Sequence, residues 1–490
     1  MSNVMRKLGG QSVLYAMGTI LTRALGFLLL PVYSNVLHTS PFGDYVLVYT
    51  FLAFGNVIFL FGMDAAFLRF YVPEKDTEKR RRIFSTVFLS LSGAAVVFCA
   101  AIYYTAGWWA QIIFRPVDAG MYIRFMEWAA VILALDALTM AGLLLYRANQ
   151  QGGRFVLIRL LAVIINFLFN IYFVLIVRSG VEGILWANVL ASATGLMLVM
   201  PVVWKNLRPV FSRDDCTAML RFGLPYIFPG LAMIAMEMLG RLQVDYYLGR
   251  DVQGIFSANY RLGIFLSLVV AGFRMAWQPF FLSHAGKPGD KQMFAGVFTY
   301  CTAILLWGFV GVGTLASELV RMPLPGGYHF LASSYWGGLS IIPWVLGGYV
   351  FYGWYVNFVA GIYITKKSLW LPVVTGAGAG LNFLLNILLI PRWGINGAAI
   401  GGCLAYAGMA MLLWAVSRSF YKVDYEYGRI AKLCLIALTT FAIGYWQGMD
   451  TSIYQKMLAV VLYPALVLGL KVISPAGFKE LGMFQRVFKR

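Results

Sequence analysis

Apolar stretches of about 20 residues recur from one end of the chain to the other, separated by short polar breaks. About 20 helical residues cross the hydrocarbon core of a bilayer, so this spacing predicts a polytopic helical membrane protein. The pattern resolves into fourteen spans, roughly 11–37, 42–70, 83–106, 122–146, 156–177, 183–204, 222–248, 254–281, 293–316, 338–364, 369–390, 396–417, 428–447 and 453–473. No loop between them exceeds about twenty residues, too short for a folded soluble domain.

Within this pattern a shorter one occurs twice, about 215 residues apart. Asn166 and Asn170 precede Gly180 and Gly183, and Asn382 and Asn386 precede Gly394 and Gly397 in the same order. A second pair of turns, Leu37 to Gly43 and Leu248 to Gly254, repeats at a similar offset. Duplication in a hydrophobic chain points to a transporter built from two related bundles. The alignment pairs spans one to six with spans seven to twelve. An even number of crossings gives both halves one orientation, related by an axis along the membrane normal. The expected fold class is therefore an all-α polytopic membrane protein with two pseudo-symmetric six-helix lobes and two added C-terminal helices. The lobes fall at 1–204 and 222–418, with a cytoplasmic linker at 205–221 and the added pair at 419–473. Residues 474–490 are expected to form a basic amphipathic tail on the inner leaflet.

Composition agrees: 60% of residues are hydrophobic, 12% are charged and the mean hydropathy is +0.75. The net charge of +19 raises the question of nucleic acid, and its distribution answers it. Alternate loops counted from the N-terminus hold roughly 26 Lys and Arg. The intervening ones hold Arg115, Arg178, Arg250, Arg321, Arg392 and Lys456. The charge is a positive-inside signal that puts both termini in the cytoplasm of a cell membrane, bacterial or archaeal, and leaves no nucleic-acid footprint. The first apolar stretch, after Arg6 and Lys7, is too long for a signal peptide core and is expected to stay as a helix. The five Cys have no CxxC spacing, so neither a disulfide framework nor a metal site is indicated.

Enzyme chemistry is hard to find. Gly286-Lys287 is followed by Pro288, which rules out a P-loop, and the three His are far apart. No cofactor is expected beyond a coupling ion, H+ or Na+. What remains is a set of ionisable residues inside spans, where charge is expensive and tends to mark a pathway. Arg23 lies on the first span, Asp64 and Arg69 on the second, Glu127 and Asp136 on the fourth, and Arg159 on the fifth. Glu237, Arg241 and Asp245 step along one face of the seventh, and Arg261 and Arg274 lie on the eighth. Arg69 and Arg159 are read as snorkelling towards the cytoplasmic face. Arg23 and Arg261 have no acid nearby in sequence and call for an anion from elsewhere, a carboxylate or a phosphate. Tyr352, Trp354, Asn357 and Trp277 carry ring faces and polar tips suited to sugar, although packing is the commoner role of such residues. The Asn pairs are expected to bond between helices, and Pro31, Pro225, Pro229, Pro279 and Pro343 to kink spans, the seventh above all.

The opening Leu21-Thr22-Arg23 with Gly26, the turn from Pro41 through Gly43 to Tyr45, and the run from Asn382 through Pro391 and Gly394 to Gly397 carry a family resemblance. Across about residues 7–418 the chain resembles the polysaccharide transporter branch, the Wzx-like oligosaccharide flippases, of the multidrug/oligosaccharidyl-lipid/polysaccharide (MOP) exporter superfamily. The resemblance implies flipping of an undecaprenyl-pyrophosphate-linked oligosaccharide for surface polysaccharide synthesis, by alternating access and coupled to an ion gradient. It makes Arg23, Arg261, Arg241 and Arg274 the expected anion-binding set and Asp64 and Glu237 the coupling candidates. The expected partners are the lipid-linked oligosaccharide, the bilayer, and polymerase or assembly proteins. The rival readings are a multidrug or cation antiporter of the same superfamily, a membrane polysaccharide polymerase, and a non-transporting scaffold.

Overall fold

The computed structural model describes residues 2–115, 119–446 and 451–473, and the side chains of all of these except 2–17 and 19. The expected tail at 474–490 lies outside the described residues. The described residues are mainly helical, with a two-stranded hairpin, Pro323–Leu324 with Tyr328–His329, turned by Gly326 and Gly327 at positive φ. By its contacts it divides into two units, Met1–Met238 and Leu239–Arg490.

The first unit contains α1 (Ser2–Val36), α2 (Thr39–Leu60), α3 (Met63–Tyr71), α4 (Thr77–Tyr104), α5 (Ala106–Phe114), α6 (Gly120–Ala148), α7 (Gly152–Asn170), α8 (Gly180–Asn206) and α9 (Arg213–Gly223). A π-helical turn, Ile171–Ile176, extends α7. The unit boundary falls inside α10 (Ile227–Leu248). The second unit continues with α11 (Arg250–Tyr260), α12 (Ile264–His284), α13 (Asp290–Arg321), α14 (Ile342–Ile364), α15 (Trp370–Phe420), α16 (Tyr427–Gly444) and α17 (Ile453–Gly469). Eleven continuous helical stretches among the described residues are long and apolar enough to cross a membrane. One of them, the 51-residue α15, is two spans joined at Gly394, where φ is 57° and ψ is −137°. With the shorter apolar helices Ile20–Val36 and Ile453–Gly469, fourteen crossings result, matching the hydropathy pattern.

The repeated Asn and Gly residues do the same work in each unit. Gly180 and Gly394 both take positive φ, which an L side chain reaches only under strain. Gly183 and Gly397 let the next helix start against the end of the previous one. A Cβ on Gly183 would lie 3.0 Å from Phe173 Cβ, and one on Gly397 would lie 2.2 Å from the Leu389 carbonyl oxygen. Asn170 donates to Asn166 Oδ1 (3.0 Å) and accepts from the Tyr33 hydroxyl on α1 (2.7 Å). Asn386 donates to Asn382 Oδ1 (2.7 Å) and to Gln243 Oε1 on α10 (2.8 Å). Asn170 and Asn386 are buried and bond from helix to helix, so within each unit they serve as internal struts.

Three features are absent from the hydropathy pattern. The second span breaks at Phe61 and Gly62, both left-handed, and this break packs against Gly223, where α9 gives way to the 3-10 turn Leu224–Tyr226. A Cβ on Gly62 would lie 2.0 Å from the Gly223 carbonyl oxygen, so the two backbones touch. The linker is folded: Ser212 caps α9 by accepting from the Asp215 amide (3.2 Å), and Asp215 pairs with Arg82 at 2.8 Å. Lys456, counted above as a loop charge, is fully buried, with Nζ 2.7 Å from Glu318 Oε1 and 2.8 Å from Ser317 Oγ. Outside the spans, the backbone amides of Asp76 and then Lys75 hold the Glu74 carboxyl below its ordinary range.

Candidate functional site

In the first unit, α2, α6, α7 and α8 line a cavity of about 460 Å3. Its polar lining is Tyr49 and Asn56 from α2, Asp136 and Thr139 from α6, Arg159 and Asn166 from α7, and Asn188 and Ser192 from α8. Ser192 Oγ donates to Asp136 Oδ1 at 2.7 Å, and Asn188 Nδ2 donates to the Tyr49 hydroxyl at 3.1 Å. Arg159 also lies over the Phe155 ring, 5.7 Å from its centroid. Arg159, read from the sequence as a snorkelling side chain, is exposed and lines this cavity together with a carboxylate. Neither Asp136 nor Arg159 was among the candidate binding residues. The detectable signal was an acid and a base on consecutive spans, at similar depth.

The coupling candidates lie apart from this cavity. Asp64 sits in the first turn of α3, just after the Phe61–Gly62 break, where a helix N-terminus favours a carboxylate. Glu237 is exposed on α10. Asp245, the last member of the expected ladder on the seventh span, is engaged by Arg250 Nε at 2.5 Å. Arg23 is exposed on α1 and makes no ion pair or hydrogen bond with a described side chain.

Arg241, Arg261 and Arg274 all belong to the second unit. The Arg241 guanidinium stands 5.3 Å from the centroid of Tyr260, and Arg261 begins the 3-10 turn Arg261–Gly263 that separates α11 from α12. Immediately after it, Gly263 allows Tyr349 to approach: a Cβ there would be 2.6 Å from the Tyr349 ring. Tyr349 stacks on Tyr406, Tyr406 meets Tyr352 (5.6 Å), and Arg274 Nη1 donates to the Tyr352 hydroxyl at 3.3 Å. Residues 263, 267, 270 and 274 follow helical periodicity, so one face of α12 meets one face of α14. The result is a row of tyrosines, Tyr349, Tyr406 and Tyr352, with Arg274 at its Tyr352 end.

The other proposed sugar contacts separate from this row. Trp277 and Asn357 are each 1% exposed, and Trp277 Nε1 donates to the Asn357 carbonyl at 3.2 Å. Trp354 packs edge-on against Phe298. Trp277 is turned inward in this conformation, as suits a large ring, and the buried Asn357 side-chain amide makes no hydrogen bond with a described residue through Nδ2 or Oδ1. Tyr352 alone of the four lies beside an arginine.

A second cavity in this unit, about 420 Å3, is an almost wholly apolar groove between α12, α13 and α17, with Phe265, Trp307, Gly311, Leu315 and Val460 in its walls. Trp307 Nε1 bonds the Val460 carbonyl at 3.0 Å and ties α17 to α13 along it.

The sequence model of a family described as "Polysaccharide biosynthesis protein" matches residues 9–284, more than half of the chain. The chain belongs to that family. An uncharacterized membrane protein of Methanocaldococcus jannaschii is 21% identical over an alignment of 516 positions that covers 96% of each chain. Among solved structures, the lipid II flippase MurJ in an inward closed conformation superposes with a TM-score of 0.73 at 14% identity, over 92% of this chain and 97% of that one. An inward-facing multidrug resistance MATE family transporter of the MOP superfamily gives 0.64 at 14% identity, over 84% and 96%. A MOP superfamily transporter from Pyrococcus furiosus, whose binding pocket is described as reversed in polarity, gives 0.55 at 13% identity, over 84% and 95%. This member of the polysaccharide biosynthesis family is thus a multi-pass membrane protein with the MOP fold.

Proposed function

We propose that this protein is a flippase that carries a lipid-linked oligosaccharide, on an undecaprenyl-pyrophosphate-type carrier, from the inner to the outer leaflet for surface polysaccharide synthesis. The observation that carries the reading is the arginine-ended tyrosine row of the second unit. Guanidinium groups hold pyrophosphate or acidic-sugar oxygens by charge-assisted hydrogen bonds, and tyrosine faces suit sugar rings. The apolar groove beside it suits an isoprenoid chain that stays in the hydrocarbon layer while the head group crosses. Transport proceeds by alternating access, with an ion gradient (H+ or Na+) as the drive and both termini in the cytoplasm. A polymerase acting on the delivered oligosaccharide is the natural partner. No catalytic role is assigned to any residue.

A multidrug cation antiporter has the same fold, but a cationic drug calls for acidic walls, and this face is basic. Proteoliposomes holding the purified chain and a fluorescent pyrophosphate-linked oligosaccharide on an isoprenoid carrier test the choice. The labelled lipid becomes accessible to an external quencher on the wild-type protein. Arg274→Ala or Arg23→Ala slows this by about tenfold or more, the worth of one charge-assisted contact. No flipping by the wild type, or full rates in both variants, rejects the reading; uptake of an organic cation instead favours the antiporter.

A further inference from the structure

We propose that Thr302, Trp354 and Asn357 form a buried site in the second unit for a neutral hydroxyl group, that of an internal water or of a sugar ring. All three lie near the middle of their helices, α13 and α14, where a membrane span has no bulk water to satisfy its polar atoms. Thr302 and Asn357 are buried. The Thr302 hydroxyl, the Trp354 indole nitrogen and both polar atoms of the Asn357 amide are shielded from solvent and make no hydrogen bond with a described residue. Elsewhere the chain satisfies such groups itself. Thr299 and Thr314, on the same helix as Thr302, donate to the carbonyls four residues earlier, at 3.2 and 2.7 Å. Asn170 bonds across to Tyr33, and Asn386 to Gln243. Thr302 and Asn357 use neither device.

The packing brings these groups to one place. Phe298 meets the Trp354 and Phe358 rings at 5.6 and 5.0 Å, and a Cβ on Gly353 would collide with Leu305 Cδ1. Residues 298, 302 and 305 share one face of α13, so Thr302 stands between those two contacts, opposite residues 353–358 of α14. The third side is α12: Val270 Cγ2 lies 3.5 Å from the Gly353 Cβ position, and Trp277 Nε1 bonds the main-chain carbonyl of Asn357, not its amide. The chemistry of the three residues selects the ligand. Trp354 Nε1 and Asn357 Nδ2 donate, Asn357 Oδ1 accepts, and the Thr302 hydroxyl does either. A bare cation is repelled by the two donors and an anion by the amide oxygen. A neutral hydroxyl both donates and accepts, and so answers the whole set. The sugar source rests on the flippase reading; the site does not, and its test measures stability and not transport, so the two fail separately.

The experiment is thermal unfolding of the full-length, detergent-solubilised chain carrying Thr302→Val, Asn357→Leu or both, with and without added glucose or N-acetylglucosamine. A site holding water gives single variants that each melt about 2 °C or more below the wild type. The double variant then loses less than the sum, because the two residues hold one ligand. Polar atoms with no ligand behave in the opposite way, since replacing an unpaired buried group by an apolar one of the same shape stabilises the fold. A site taking a sugar hydroxyl shows itself when either sugar raises the melting temperature of the wild type and not of the double variant. Each variant is first shown to elute as a single symmetrical species; should Asn357→Leu fail, Thr302→Val with Trp354→Phe completes the same cycle. Single variants that melt at or above the wild type, or losses that simply add, overturn the proposal when neither sugar gives a shift that the double variant abolishes.

Discussion

Gly62 and Gly180 look alike in the chain and behave differently in the molecule. Both adopt positive φ, 74° and 60°. Nothing lies within 4 Å of where a Cβ would stand on Gly180, so Gly180→Ala carries only the left-handed strain, about 1–2 kcal/mol. On Gly62 the new atom would meet the Gly223 carbonyl oxygen at 2.0 Å, and that oxygen is backbone. Gly62→Ala must therefore separate α3 from α9, and its melting temperature should fall much further than that of Gly180→Ala. Thermal unfolding followed by gel filtration checks this, and equal shifts in the two variants would refute it. The positive φ at Gly180 and Gly394 was foreshadowed by their repetition, whereas the contact at Gly62 was not, because its partner lies some 160 residues away in sequence.

Among the elements, α17 shows how an undersized helix is retained. At 17 residues it spans about 25 Å, short of the roughly 30 Å hydrocarbon core. It packs on α13 and α16, and its first turn carries the buried Lys456 to Glu318 on α13. Removing only the carboxylate takes Glu318 away from an ammonium with 0% exposure that still donates to Ser317. Glu318→Ala should therefore destabilise the protein by about 3 kcal/mol or more. Lys456→Met should be much milder, since the half-exposed Glu318 can turn to water. A reversed order in the melting temperatures would show that the pair does not clamp the helix. The seventh span shows a different economy: its expected kink takes the form of a 3-10 turn at Pro225, where the break meets that of the second span.

For the whole molecule, the placement of both termini rests on the loop charges, and it can be tested directly. In a variant with the five native cysteines replaced, Lys75→Cys and Lys287→Cys should resist a membrane-impermeant maleimide added to intact cells. Pro325→Cys, in the hairpin turn, should be labelled. All three positions are exposed, so labelling reports sidedness and not burial. The opposite pattern would invert the topology and, with it, the direction of transport.

Fourteen crossings, their duplication, the two glycine-marked turns and the helix-to-helix use of the Asn pairs were all legible along the chain. Each depends on local properties: the length of apolar runs, the need of backbone groups for partners in lipid, and the freedom of glycine. The functional faces were legible only in part. Arg241, Arg261 and Arg274 stood out as charges in apolar spans, but their link to Tyr260, Tyr349, Tyr406 and Tyr352 depends on how α10, α12, α14 and α15 are rotated against each other. The same holds for Asp136 and Arg159, which periodicity places on their own helices without saying what those faces meet, and for Trp277 and Asn357, which the structure buries. Sequence alone determined which segments cross the membrane and where they turn, because those depend on a residue and its near neighbours. Only the tertiary structure decided which side chains share a cavity, because helix rotation is set by steric fit among several distant segments at once.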